Sequence, residues 1–225
     1  MLDRMFTSEA LEEALWILKN EFPMAIWETM YVTVLATLFA IVLGLPLGVL
    51  PLPAPVMSVL NVVINLLRSV PFLILMILVF PLTRLIVGTS VGTVASIVPL
   101  VIAAFPFVSR LVESSLREIN PNIIEAAQSM GASPMQIICK VMLPESVPSL
   151  ISNATIAITT ILGYSAMSGI IGGGGLGQIA INYGYYRYRY LVMLIAVVLL
   201  IVIVQIFQTV GTRLAVKSDK RIKKK

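Results

Sequence analysis

The feature that most constrains this chain is a series of apolar runs, each about twenty residues long. Five can be marked: Ile26 to Leu50, Leu60 to Leu82, Val91 to Val108, Leu150 to Ile171 and Leu191 to Val210. A helix rises about 1.5 Å per residue, so each run has the length to cross a hydrocarbon layer of about 30 Å. The runs are continuous and do not alternate with period two, which argues against a β-barrel. Composition agrees: 58% of the 225 residues are hydrophobic and 12% are charged. That is too little charge to cover a soluble surface. The chain reads as an all-α polytopic membrane protein with five transmembrane helices.

What is missing removes whole classes of chemistry. The chain has no His, a single Cys (Cys139), and Asp only at Asp3 and Asp219. A Ser-His-Asp triad, a His/Cys metal cluster and an intrachain disulfide are all unavailable. Most Glu residues lie outside the apolar runs, so no pair of intramembrane carboxylates is at hand for acid–base work or a proton relay. No catalytic residue, cofactor or metal is expected, and a membrane-embedded enzyme or scaffold is the weaker reading.

Charge is uneven along the chain. Residues 1–28 carry Asp3, Glu9, Glu12, Glu13, Glu21 and Glu28 against Arg4 and Lys19. Residues 213–225 carry Arg213, Lys217, Lys220, Arg221, Lys223, Lys224 and Lys225 against Asp219. Beside a membrane helix, such a tail reads as a cytoplasmic anchor facing anionic lipid; no nucleic-acid partner is expected. Five spans then put the acidic N-terminus outside. Arg110, Arg117 and Lys140 fall inside, as the positive-inside rule prefers, while Arg187 and Arg189 fall outside against it.

The start of the chain is too acidic for a signal peptide. Leu11, Ala14, Leu15 and Leu18 recur at helical spacing, which predicts a short amphipathic helix over 8–20 lying at the membrane surface; a frayed extension is the alternative. The organisation is thus an N-terminal extension over 1–24, a membrane domain over 25–212 and a basic tail over 213–225. Gly44-x-x-x-Gly48 permits close helix packing. Pro51, Pro53 and Pro55 stop the first span. Arg68 and Pro71 lie inside the second, where Arg68 either snorkels or faces the protein interior. A short turn is expected around Arg84 to Gly88, and Pro99 and Pro106 are candidate kinks in the third span.

The polar stretch 109–148 carries capping signals. Asn120-Pro121 starts a helix, and Gly131 supplies a left-handed residue that ends it. Ser133-Pro134-Met135-Gln136 starts a second helix with a capping box. Pro144 is expected to end that helix. Two short helices joined by a tight turn should therefore sit on the cytoplasmic face.

Glu125-Ala126-Ala127-x-x-x-Gly131, followed by Ile137 and Leu143-Pro144, resembles the EAA signature of ABC importer permeases. The resemblance implies a coupling helix that sits in a groove of a nucleotide-binding subunit. It gives Ala126 and Ala127 the role of small docking residues, Glu125 that of polar contact or helix anchor, and Gly131 that of the turn. Arg68 to Phe72, Val87 to Ser90, Gly163 to Met167 and Gly173 to Gly184 are similar to the methionine-importer branch of that family, over roughly residues 25–212. The loop between the first two spans is short for it. The resemblance implies a type I ABC importer permease of a bacterial inner membrane, working as a homodimer. Its implied partners are two cytoplasmic ATPase subunits, an extracytoplasmic substrate-binding lipoprotein and an amino-acid substrate. A permease of the same architecture for another small solute, such as a quaternary amine, is the nearest alternative.

Two further features are weighed against simpler roles. Gly172-x-Gly174-x-x-Gly177 formally matches a dinucleotide fingerprint, but a membrane helix precedes it where a strand is required. No Walker A sequence occurs, so ATP hydrolysis must come from another chain. The glycine run reads as a flexible outer loop contacting a binding protein, or as a plain turn. Tyr164, Ser165 and Met167, with Ser168, offer a mixed polar and soft surface in the fourth span. By the resemblance they border the translocation pathway or its gate; simple helix packing is the alternative.

Overall fold

The structure, a computed structural model, describes residues 8–50 and 53–219. Asp3, Arg4, Pro51 and the lysine-rich end beyond Asp219 lie outside the described residues. Helix α1 (Ser8–Asn20) leads into α2 (Phe22–Val49), and α3 (Ala54–Ser69), α4 (Phe72–Leu78) and α5 (Phe80–Val87) follow. Next come α6 (Ile97–Arg117), α7 (Pro121–Ser129), α8 (Pro134–Ile137) and α9 (Leu143–Ser168). The short α10 (Gly175–Ile179) and the long α11 (Tyr190–Ser218) complete the chain. Among the described residues, four helical stretches are long and apolar enough to cross a membrane, and a fifth crossing results if the bent α3–α4 pair is counted as one span.

The packing follows from residue size. Helix α2 buries Thr29, Thr33, Ala36, Thr37, Ala40 and Gly44 along one narrow face. Small side chains let backbones approach, and between membrane helices that contact is a main source of adhesion. The Thr hydroxyls cost nothing there, because Thr29 and Thr37 donate to the carbonyls of Ala25 and Thr33, at 2.9 and 2.7 Å. The partner is α6. A methyl group on Gly44 would lie 2.9 Å from the Phe105 carbonyl oxygen, and one on Gly48 2.7 Å from that of Ser109. The Gly-x-x-x-Gly pattern is therefore a crossing point. Helices α2, α4, α6 and α9 share one core around Ala36, Met76, Leu100, Ala104 and Ile161. A second core joins α1, the start of α2, α9, α10 and α11 through Ile17, Phe22, Leu162, Leu176, Val192 and Ala196.

The sequence placed several boundaries differently. The second apolar run is not one rod: it bends by 110° between α3 and α4. Pro71 has no amide hydrogen and forces Val70 into an extended conformation, with φ −80° and ψ 128°, so the helix cannot run through. The turn expected at Arg84 to Gly88 is mostly the helix α5, which ends on left-handed Gly88 (φ 86°). Helix α6 continues nine residues past Val108 to Arg117. Its polar end is self-supporting, since Arg110 and Arg117 both pair with Glu113 at 2.7 and 2.6 Å.

Pro144 does not end a helix. The chain stays helical from Pro134 to Ile171, with a wider π turn over Ile138–Met142. In that turn the Leu143 amide donates to the Ile138 carbonyl. The widening accommodates the Pro144 ring, which would otherwise clash with the carbonyl four residues back.

Helix α1 forms over the expected residues, but its apolar side is divided. Ala14 and Ile17 are buried against the protein, whereas Leu11 and Leu15 are half exposed. An ion pair between Glu13 and Arg189 ties α1 to the start of α11.

Candidate functional site

Three regions carry the residues singled out above. The first is the α7–α8 turn. The Asn120 side chain accepts from the Asn122 amide at 3.0 Å, and Pro121 opens α7. At the other end, Gly131 takes φ 79°. Its amide donates to the Gln128 carbonyl at 2.9 Å, and the Ala132 amide to that of Ala127 at 3.2 Å. This is a Schellman closure, which needs a left-handed residue and so favours glycine. Ser133 and Gln136 then form a reciprocal capping box. Ile124 packs inward, and Ile137 and Ile138 are buried.

On the outward side, Glu125 and Ala126 are exposed, and Ala127 is half-buried. Leu143 is also half-buried, while Pro144 is exposed at the start of α9 and so belongs to a different element from Glu125. Met130 at the C-cap of α7 is 87% exposed, and Met135 in α8 is 51% exposed. Neither methionine was given a docking role from the sequence; for Met130, a large apolar residue at a helix C-cap was the available signal. The result is a short, doubly capped helix presenting alanines and soft side chains, a shape that fits a groove on another protein.

Behind it lies a polar brace that the sequence did not reveal. Asn153 on α9 donates to the Leu111 carbonyl at 3.0 Å and to the Ser115 hydroxyl at 2.8 Å, both on α6. Ser149 donates to Glu118 at 2.7 Å. Arg110 donates to Asn61 at 2.9 Å and so reaches α3. The end of α6, which leads into α7, is thus tied to α9 and, through Arg110, to α3.

The second region is the C-terminal half of α9, where the structure separates the residues grouped by sequence. Tyr164 stacks on Phe72, with ring centroids 4.8 Å apart and planes at 7°. Ser165 is buried, donates to the Leu162 carbonyl at 2.8 Å and lies 3.5 Å from the Thr33 hydroxyl. Both therefore face packed protein. Met167 does not: it is 43% exposed. It shares a stripe with Ser152, Ile156, Gly163 and Ile170, which are also exposed. Their spacing of four, seven, four and three residues keeps them on one helical face.

The third region is the glycine run, and it is not a flexible loop. Gly173 to Gly177 are buried. The Gly175 amide donates to Glu28 at 2.8 Å, and the Leu176 amide donates to the Thr29 hydroxyl at 2.9 Å. The other oxygen of Glu28 accepts from the Thr93 hydroxyl at 3.0 Å. Ser96 adds hydrogen bonds to the Thr93 and Gly173 carbonyls, at 2.7 and 3.5 Å. Nearby, Tyr183 donates to Glu21, and Arg187 lies 4.7 Å over the Tyr183 ring. The bond to the Glu21 carboxylate, then burial, raises the Tyr183 pKa above the ordinary phenol value, so its proton stays in place at neutral pH.

The geometry can be set beside known proteins. Residues 36–222 match the family model described as binding-protein-dependent transport system inner membrane component. A probable D-methionine transport system permease protein MetI from Vibrio cholerae is 48% identical over 206 residues, spanning 88% of this chain and 92% of that protein. The D-methionine transport system permease protein MetI of Escherichia coli K12 is 44% identical over 167 residues, 70% of this chain and 75% of that one. Among solved structures, an inward-facing conformation of the MetNI methionine ABC transporter superposes with a TM-score of 0.87. It is 42% identical and covers 93% of this chain and 99% of its own. An amino acid ABC transporter solved with histidines shares the fold alone, at a TM-score of 0.73 and 20% identity over 92% of this chain and 97% of that one. With five-sixths of its length inside one family model and close relatives along most of it, this chain belongs to the binding-protein-dependent transport system inner membrane components.

Proposed function

We propose that this chain is the permease subunit of a methionine ABC importer, and that α7 couples it to the ATPase. The observation that carries the coupling role is the doubly capped, outward-facing α7, which follows the end of α6 where Asn153 and Ser149 tie α6 to α9. Two copies of the chain pair with two cytoplasmic ATPase subunits and receive substrate from an extracytoplasmic binding protein. The names of the most similar full-length relatives support methionine as the substrate.

The basic residues from Arg213 onward, with Arg117 and Lys140, support a cytoplasmic C-terminus and α7, leaving α1 outside. Within that orientation Glu125, Ala126, Ala127 and Gly131 form the docking element. Leu143 and Pro144 start the rod that carries its movement upward. ATP binding closes the ATPases, α7 follows, and the brace turns α6 and α9 from inward- to outward-facing; hydrolysis resets them. No catalysis is assigned to this chain.

The test of the substrate is ATPase stimulation of the reconstituted complex by loaded binding protein. Methionine-loaded protein should stimulate, and a quaternary-amine-loaded one should not; the reverse would overturn the assignment. The exposed stripe on α9 is proposed as pathway lining, with Met167 as its soft contact. Met167→Ala is expected to lower uptake roughly fivefold, about 1 kcal/mol, while ATPase association is unchanged. Uptake equal to the parent protein would remove Met167 from the pathway. Tyr164 and Ser165 support that face from behind as packing and gate-positioning residues.

A further inference from the structure

We propose that Glu28 is the positioning residue of the extracytoplasmic end, fixing the glycine run and the 89–96 segment onto α2 so that they move as one body with the end of α9. This rests on the orientation given above. Three elements distant in sequence meet at one carboxylate: α2, the segment before α6 through Thr93, and the turn after α9 through the Gly175 amide. A carboxylate near a membrane helix is costly unless it is used. Here both oxygens are used, at 3.0 and 2.8 Å.

The glycines are cut to fit it. Gly174 and Gly175 take φ 77° and 73°, which L side chains rarely adopt. A methyl group on Gly174 would lie 2.8 Å from Glu28 Oε2, and one on Gly175 2.6 Å from the Thr29 hydroxyl. The run is therefore moulded around Glu28 and Thr29. It follows directly after the end of α9 and the single turn beyond it, which expose Gly163, Met167 and Ile170. Glu28 thus holds the end of the proposed pathway helix against α2. Without it, the turn can move independently of α2, and motion started at α7 no longer arrives intact at the outer end.

The side chain also admits a sharp control. Glutamine can accept the Gly175 amide with its carbonyl and donate to Thr93, whose hydroxyl accepts as readily as it donates. Alanine can do neither.

The experiment uses the complete transporter in proteoliposomes. It compares Glu28→Ala and Glu28→Gln by hydrogen exchange over 172–177 and by substrate moved per ATP hydrolysed. Glu28→Ala should speed exchange there roughly tenfold and lower the transport ratio by a similar factor, with ATP hydrolysis retained. Glu28→Gln should keep both within about twofold. Unchanged exchange and ratio in Glu28→Ala would overturn the proposal, as would equal damage from Glu28→Gln. If Glu28→Ala does not assemble, Thr93→Val removes one of the two bonds; it should lower the ratio about threefold, and an unchanged ratio would overturn the proposal. Orientation is read separately, with an impermeant maleimide on Tyr185→Cys in a Cys139→Ser background. Labelling only from the ATPase side would overturn the orientation while leaving the exchange result to judge Glu28.

Discussion

Replacing Ala126 with tryptophan is expected to leave the permease folded and inserted but to cut uptake roughly hundredfold. Ala126 is exposed on α7 and serves no internal packing, so the cost to the isolated fold should stay near 0.5 kcal/mol. On the proposed docking face a bulky ring should instead block docking, and groups central to an interface are worth about 2–4 kcal/mol. Co-purification of the ATPase with the variant measures this directly. Full recovery of the ATPase would take α7 out of the docking surface.

Gly48→Leu should act by the opposite route. The atoms that a side chain would meet at Gly48 are the Ser109 carbonyl oxygen at 2.7 Å and Val112 Cβ at 2.8 Å. Backbone cannot swing aside as a flexible side chain can, so α2 and α6 must separate. The expected cost is about 3 kcal/mol, read as a lower thermal midpoint and a smaller monodisperse fraction in detergent. Gly163→Ala is the matched control, since a methyl group there meets nothing within 4 Å. If Gly48→Leu proves as stable as the control, the crossing is not where the helices are held.

What the sequence disclosed was chiefly what is local. Asn120, Pro121, Gly131, Ser133 and Gln136 act on neighbours within five residues, and their capping roles can be read from spacing alone. The apolar runs likewise announce spans, because hydrocarbon thickness sets their length. Proline was harder. Pro71, Pro106 and Pro144 are the same residue, yet the chain bends by 110° at the first, stays helical through the second and widens beforehand to admit the third. Which outcome occurs depends on what packs alongside.

Glu28 was hidden for a different reason. Its partner Gly175 lies 147 residues away and Thr93 lies 65 away. A glycine run with no visible partner looks flexible; with a carboxylate and a hydroxyl against its amides it is fixed. The separation of Met167 from Tyr164 was unreadable on similar grounds, since the stacking of Phe72 and the burial of Ser165 against Thr33 reveal which side of α9 is covered.

The unbroken helix from Pro134 to Ile171 has 38 residues, a length of about 57 Å. Such an element carries angular as well as linear information. Every residue advances the helix by about 100°, so the bearing of the Met167 stripe relative to α7 is fixed by an integer count of residues between them. One residue added near Ile151 would leave every contact type intact in sequence yet turn the Met167 stripe by more than a quarter circle. Seven added residues would nearly restore its bearing while lifting it about 10 Å. The rod is therefore a timing shaft as well as a strut, and its length is constrained by phase.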